Sequence, residues 1–360
     1  MASSIETTST TTTLKNNGNT YMSVDTNDAV TFATGVISVS SLNGGQLAGF
    51  RNRIINGDMQ IDQRYAGASN VVTGTSYQLD RFDASNGAGG TMTFVQSTLG
   101  NAKSFLWTAT AAVTDLDDNG LFMSHKIEGQ NVFDLNGKEI TISFKVQTNW
   151  AGNLPIAVRN SNSSRSYVVD VAVVSGTNDV SVTLTLEAAS VITNDTALGL
   201  RLFFGSNNEG TLRTGTTGSW IAGSYRVSTS STQWASTEAN YINITGVQLE
   251  EGSVATPFEH RSYGTELALC QRYYEIGGHA NSQQFSGDVT NSNNYFATIY
   301  FNTTKKAAPT IANANANASS FGTGASTAGA QSLNSFRNHR TSTASAVGSF
   351  GDTWTATAEL

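Results

Sequence analysis

The sequence predicts an all-β chain whose middle is an antiparallel β-sandwich. Three observations carry that expectation. Only 13% of the residues are charged, about half the ~25% of ordinary globular chains. Ser, Thr, Asn and 34 glycines fill the gap, a composition suited to strands joined by tight turns. Above all, apolar residues recur at every second position in short runs at regular spacing. Almost no helical periodicity intervenes between those runs.

Taken in order, residues 1–13 are rich in Ser and Thr and nearly devoid of apolar side chains. Alone they bury too little surface to offset the entropy of ordering. Thr20–Phe32 reads as a hairpin around Asp25-Thr26-Asn27-Asp28, with Met22 and Val24 alternating on one arm and Val30 and Phe32 on the other. Val36 to Val39 and Leu42 continue a thin apolar content. Residues 1–50 are read as an attachment and trimerisation segment, with a disordered leader as the alternative.

The middle is strand-like throughout. Ile140, Ile142, Phe144 and Val146 alternate, as do Val180, Val182, Leu184 and Leu186. Ser166–Val174 ends at Ser175-Gly176, and Leu198–Phe204 is a nearly continuous apolar run broken by Arg201 and ended by Gly205. Tyr241–Leu249 closes the set, and Gly246 within it predicts a bulge. One helix is expected, from about 264 to 275. Leu267, Cys270 and Tyr274 share one face of it, and Ser262 or Thr265 serves as its cap. Beyond it, Tyr295–Phe301 reads as a strand apolar on both faces. Residues 312–332 are almost entirely small, which suits close strand packing or a mobile loop. A small all-β tip is expected over 277–360.

Charge and composition exclude several functions. A net charge of −7 argues against nucleic-acid binding, which draws on clustered Lys and Arg; Lys305 and Lys306 are too small a cluster to reverse it. The one cysteine, Cys270, excludes an intrachain disulfide framework and a Cys-based zinc site. On the apolar helical face it is expected to be an inert thiol. No run approaches the ~18 apolar residues of a membrane span. The start Met1–Glu6 lacks signal-peptide character, so synthesis in the cytoplasm is expected.

Catalytic patterns are missing, and the chain is expected not to be an enzyme. His125, His260, His279 and His339 have no metal spacing. Neither a Gly-x-Ser-x-Gly elbow nor a glycine-rich phosphate loop occurs. Glu250 and Glu251 are adjacent in a strand and so point to opposite faces, which disfavours paired-carboxylate hydrolysis. Asp115-Leu116-Asp117-Asp118-Asn119-Gly120 matches the first six positions of a calcium loop, but Lys126 stands where that loop needs a bidentate Glu. The best ligand candidates are side chains near turns: Trp150, Trp220, Tyr225, Arg226 and Trp234. An indole face stacks on the C–H face of a sugar while neighbouring polar groups bind its hydroxyls. One or two of these tryptophans are expected in the sandwich core instead.

Two segments resemble a known module. Val247-Gln248-Leu249-Glu250-Glu251-Gly252-Ser253-Val254-Ala255-Thr256-Pro257-Phe258-Glu259-His260-Arg261 is similar to the segment closing a jelly-roll β-sandwich in bacteriophage tail-fibre and appendage proteins, marine ones especially. Asn52–Arg64 resembles the opening strand of the same module. The resemblance implies a jelly roll over 51–262, a connecting helix at 263–276 and a C-terminal β tip at 277–360. It also implies a viral structural protein of the virion, carried on the tail or an appendage, that takes part in host attachment through surface glycans. A purely structural virion component, such as an adaptor, spacer or capsid-surface fibre, is the alternative. The implied partners are two further copies in a homotrimer and other tail or baseplate proteins docked on residues 1–50. No cofactor is expected beyond a structural calcium. For that ion, Asp58, Asp62 and Glu250 are the candidate ligands that the resemblance leaves.

Overall fold

A computed structural model of the chain describes residues 3–7, 11–16, 19–25 and 30–32. It also describes 50–360 apart from 73, 87–90, 114–119, 188–190, 208–209, 279–282, 323–325 and 330. The contacts divide the chain into two units, Met1–Leu42 and Asn43–Leu360.

The first unit is a four-stranded antiparallel meander of Ser3–Thr7, Thr11–Asn16, Asn19–Asp25 and Val30–Phe32. The predicted hairpin forms with Met22 opposite Phe32 and Val24 opposite Val30. Residues 1–13, expected to be unordered alone, contribute two strands, since Thr favours the pleated conformation and each strand finds a neighbour. Val36, Val39 and Leu42 lie outside the described residues.

In the second unit two antiparallel sheets face each other as a jelly-roll sandwich. The larger runs Trp220–Ala222, Arg165–Val173, Gly152–Asn160, Leu198–Asn207, Leu121–Glu128, Phe82–Asn86, Gly74–Leu79. The smaller runs Gly176–Thr185, Glu139–Thr148, Tyr241–Glu251, Ala102–Ala111, Thr91–Leu99, Asn70–Val71. The alternation read from the sequence is the alternation of the pleat. Ile140, Ile142, Phe144 and Val146 enter the core from one sheet, and Leu200, Leu202 and Phe204 meet them from the other. Gly246 has φ +64. At that point the register slips between Ser143 and Lys145, the expected bulge.

The segment Asn52–Arg64 is not a strand. Asn56 and Met59 take positive φ of 62 and 59, which breaks any extended run. The segment nevertheless lies along the closing strand. Arg53 N donates to Leu249 O at 2.9 Å and Val247 N donates to Gly57 O at 2.8 Å. Asn52 Nδ2 donates to Val247 O, and its Oδ1 accepts from Leu249 N. A Cβ on Gly57 would lie 2.1 Å from Val247 O, so only glycine permits this approach. Glu259 accepts from Arg51 N and Asn52 N. The two segments that carry the resemblance thus form one hydrogen-bonded joint.

The helix spans Tyr263–Gln271, with Ser262 Oγ accepting from Thr265 N at its start. It ends earlier than predicted because Tyr274–Gly277 pairs with Ala346–Thr357. Tyr274 is therefore a strand residue, while Cys270 and Tyr273 are buried beside Ile55 and Ile61. The remaining C-terminal strands form two small sheets. The run of small residues is not a loop throughout, since Thr310–Ser319 pairs along Ala346–Thr357. Asn294–Tyr300 buries only one face. Tyr295, Ala297 and Ile299 point inward, whereas Phe296 and Tyr300 are 48% and 75% exposed. Among the described residues no helix is long and apolar enough to cross a membrane.

Candidate ligand-binding cleft

The predicted indole platforms prove to have different positions. Trp234 is 1% exposed. It stacks on Trp150 at 6.2 Å and 9° and meets Trp107 edge-on at 4.8 Å. Its Nε1 donates to Gly205 O, and that of Trp150 donates to Tyr241 O. Both rings are core, with neither face left for a sugar; the reading of Trp150 and Trp234 as ligand platforms is corrected. Trp220 is half-buried at the edge of the larger sheet and packs against Tyr167. Its Nε1 donates to Thr185 O at 2.8 Å, which closes one end of the sandwich. Tyr225 and Arg226 sit together on the outer face of that sheet, over Phe122 and Phe203.

The three proposed metal ligands are not brought together, and every one of their carboxylates already accepts protein donors. Asp58 accepts from Gln60 Nε2. Asp62 accepts from Tyr65 N and Gly67 N. Glu250 accepts from Gln248 Nε2, Thr256 N and Thr256 Oγ1. Asp115 to Asn119 lie outside the described residues, and no group of three potential metal ligands occurs among the described ones.

A cleft of about 570 Å³ gathers Asp58, Gln60, Asn101, Lys103, His260 and Tyr263, within the 300–1,000 Å³ of small-molecule sites. Each wall has a local cause. The turn carrying Asp58 is pinned by the Asn56 side chain, which donates to Ile61 O and Asp80 O and accepts from Ile61 N. Gln96 Nε2 holds the next stretch through Met59 O and Gln60 O. Asn101 and Lys103 come from the hairpin between Thr91–Leu99 and Ala102–Ala111, turned at Gly100 with φ +61. His260 packs edge-on against Phe258 at 5.0 Å, and Tyr263 opens the capped helix.

Chemically, the cleft offers a carboxylate paired to an amide, a second amide, an ammonium, an imidazole and a phenol. Asp58 is 8% exposed and Tyr263 58% exposed. The polar pair therefore sits at the floor and the aromatic ring at the rim. No strong nucleophile lines it: the Cys270 thiol is fully buried, and burial pushes its pKa well up. Sequence reading singled out Asp58 for another purpose and missed the rest, because three separate stretches contribute and no local pattern links them. A second cleft of about 460 Å³ is lined by Arg64, Tyr274, Trp354 and others. Its guanidinium is already committed, lying 3.7 Å from the Tyr274 ring and 2.7 Å from Glu359.

No protein family and no curated protein matches the chain. Solved structures similar to it include a CBM4 protein, at 15% identity over 55% of this chain and 99% of the other, with a TM-score of 0.29. Another is the CBM22-1 xylan-binding domain of Xyn10C from Paenibacillus barcinonensis, at 12% over 52% and 97%, with a TM-score of 0.28. A third is a family 11 carbohydrate-binding module from Clostridium thermocellum in complex with a β-1,3-1,4-mixed-linked tetrasaccharide, at 9% over 51% and 99%, with a TM-score of 0.29. None of these assigns a residue in this chain.

Proposed function

We propose that the chain is a non-enzymatic glycan-binding protein that serves as an appendage of a phage particle, with residues 1–50 attaching and trimerising it. The cleft carries the binding part of this reading. Asp58 and Gln60 present an acceptor and a donor side by side, the arrangement that suits vicinal hydroxyls, and Tyr263 gives an exposed ring for an apolar sugar face. The phage part rests on the resemblance of Val247–Arg261 and Asn52–Arg64. The bonding of those segments to each other supports reading them as one module.

Binding of the full chain to a panel of bacterial surface glycans tests this. Tyr263→Ala and Gln60→Ala are each expected to weaken the best ligand about tenfold, the equivalent of roughly 1.4 kcal/mol, and Tyr263→Ala to do so with the melting temperature unchanged. Unaltered affinity in both variants would remove the cleft from the reading. One observation favours the spacer alternative: Trp150 and Trp234, two of the three tryptophans expected to be platforms, are in the core. A panel without any binding would establish that alternative. Release of shorter oligosaccharides from host polysaccharide would overturn the non-enzymatic part.

A further inference from the structure

On the outer face of the larger sheet, three cations stand in a cross-strand row. Arg159 is directly opposite Arg201, which is directly opposite Lys126. Like charges so placed repel each other, and the chain as a whole is acidic, at −7. Part of the row is neutralised. Buried Asp83 lies 2.8 Å from Arg201 and 3.3 Å from Lys126. Lys126 Nζ also donates to Leu360 O at 2.6 Å.

Arg159 is different. It is 6% exposed, yet its guanidinium reaches no carboxylate among the described residues. It donates only to two backbone carbonyls, Nε to Tyr225 O at 3.0 Å and Nη2 to Ser224 O at 2.5 Å. Its Nη1 and that of Arg201 find no protein acceptor among the described residues. The guanidinium lies 4.7 Å from the Phe203 ring, as does that of Arg201, so both planes are held by one aromatic floor. Burial, then the nearby charges of Arg226 and Arg201, push Arg159 down to about 9. A buried cation held rigid, facing another cation and lacking an anion among the described residues, is an arrangement found where a ligand supplies the missing charge.

We propose that Arg159 and Arg201 together bind an oxyanion, the carboxylate or sulfate group of an acidic sugar. Two planar forks with free N–H groups on one face suit bidentate recognition of such a group. Burial on an apolar floor strengthens the contact relative to one in open solvent. The sugar as carrier rests on the glycan reading above; the oxyanion does not. Nor does the site share a residue with the cleft at Tyr263.

The test uses calorimetry on the full chain with four probes: inorganic sulfate, an oligouronate, a sulfated oligosaccharide and a neutral oligosaccharide. Saturable binding of sulfate and of at least one charged oligosaccharide is expected, weakening as chloride rises. Arg159→Gln should lower that affinity at least about tenfold, the size of a lost hydrogen bond to a charged group. Arg159→Lys should not restore it, because the fork is lost. Tyr263→Ala should leave it unchanged. Sulfate binding without any oligosaccharide binding would keep the oxyanion site and sink the glycan carrier. Equal binding of charged and neutral probes, or an unchanged affinity in Arg159→Gln, would overturn the site. Should Arg159→Gln not fold, saturable stabilisation of the wild-type chain by low-millimolar sulfate, well below the range of general salting-out stabilisation, decides instead, and its absence overturns the proposal.

Discussion

Replacing Lys305 with Met is expected to destabilise the second unit by about 3–5 kcal/mol, the cost of breaking a buried ion pair by removing one partner. Lys305 and Glu275 are both fully buried at their side chains. Lys305 Nζ donates to Glu275 Oε2 and, at 2.5 Å, to Gln271 O. The other carboxylate oxygen accepts from Asn302 N at 3.1 Å and Asn302 Nδ2 at 2.8 Å. Methionine retains most of the stem, which runs beside Phe301, so cavity formation contributes little. What remains is a buried carboxylate with two neutral donors and a helix-end carbonyl without its donor. The adjacent backbone bond from Lys306 N to Arg272 O ties the same loop to the end of the helix. Urea unfolding followed by tryptophan fluorescence measures the loss. Adding Glu275→Gln should recover about 2–3 kcal/mol, because the orphaned charge disappears and an acceptor for Asn302 remains. A single-variant loss below about 1 kcal/mol, or a double variant no more stable than the single, would refute the reasoning.

Two further outcomes are expected. Trp234→Ala should cost about 3–5 kcal/mol, as for a fully buried aromatic, whereas Trp220→Ala, at a half-buried edge, should cost less than half as much; equal losses in urea unfolding would contradict the core assignment. Burial raises the Asp80 carboxyl to about 6 from 3.8, against hydrogen bonds from Gln63 that pull it down. The folded chain therefore binds more protons than the unfolded one between those values. Asp80 costs stability above pH 6 and returns it as the pH falls towards 4, about 3 kcal/mol in all. The stability gap between wild type and Asp80→Asn should shift by that amount between pH 7 and pH 4, and a gap independent of pH would rule it out.

Much of the fold was legible in the sequence because its causes are local. A pleat places alternate residues on opposite faces, so Ile140 to Val146 and Val180 to Leu186 announce their inner faces by period alone. Gly246 announces a bulge and Ser262 a helix cap for equally short-range reasons. What the sequence could not decide was which partner each face meets. Trp150, Trp220 and Trp234 sit in similar polar surroundings along the chain. Only the packing of one sheet on the other makes two of them core and one an edge plug. Asn52–Arg64 resembles a strand until Asn56, Gly57 and Met59 turn it, and its hydrogen bonds exist only once Val247 and Leu249 lie beside it. The row of Arg159, Arg201 and Lys126 depends on the register of three strands, and the cleft at Asp58, Lys103 and Tyr263 on three distant turns converging. Sequence determined the strands and their inner faces, since those follow from each residue's own neighbours. Tertiary structure alone decided the sites, since contacts between remote segments leave no periodic trace in the chain.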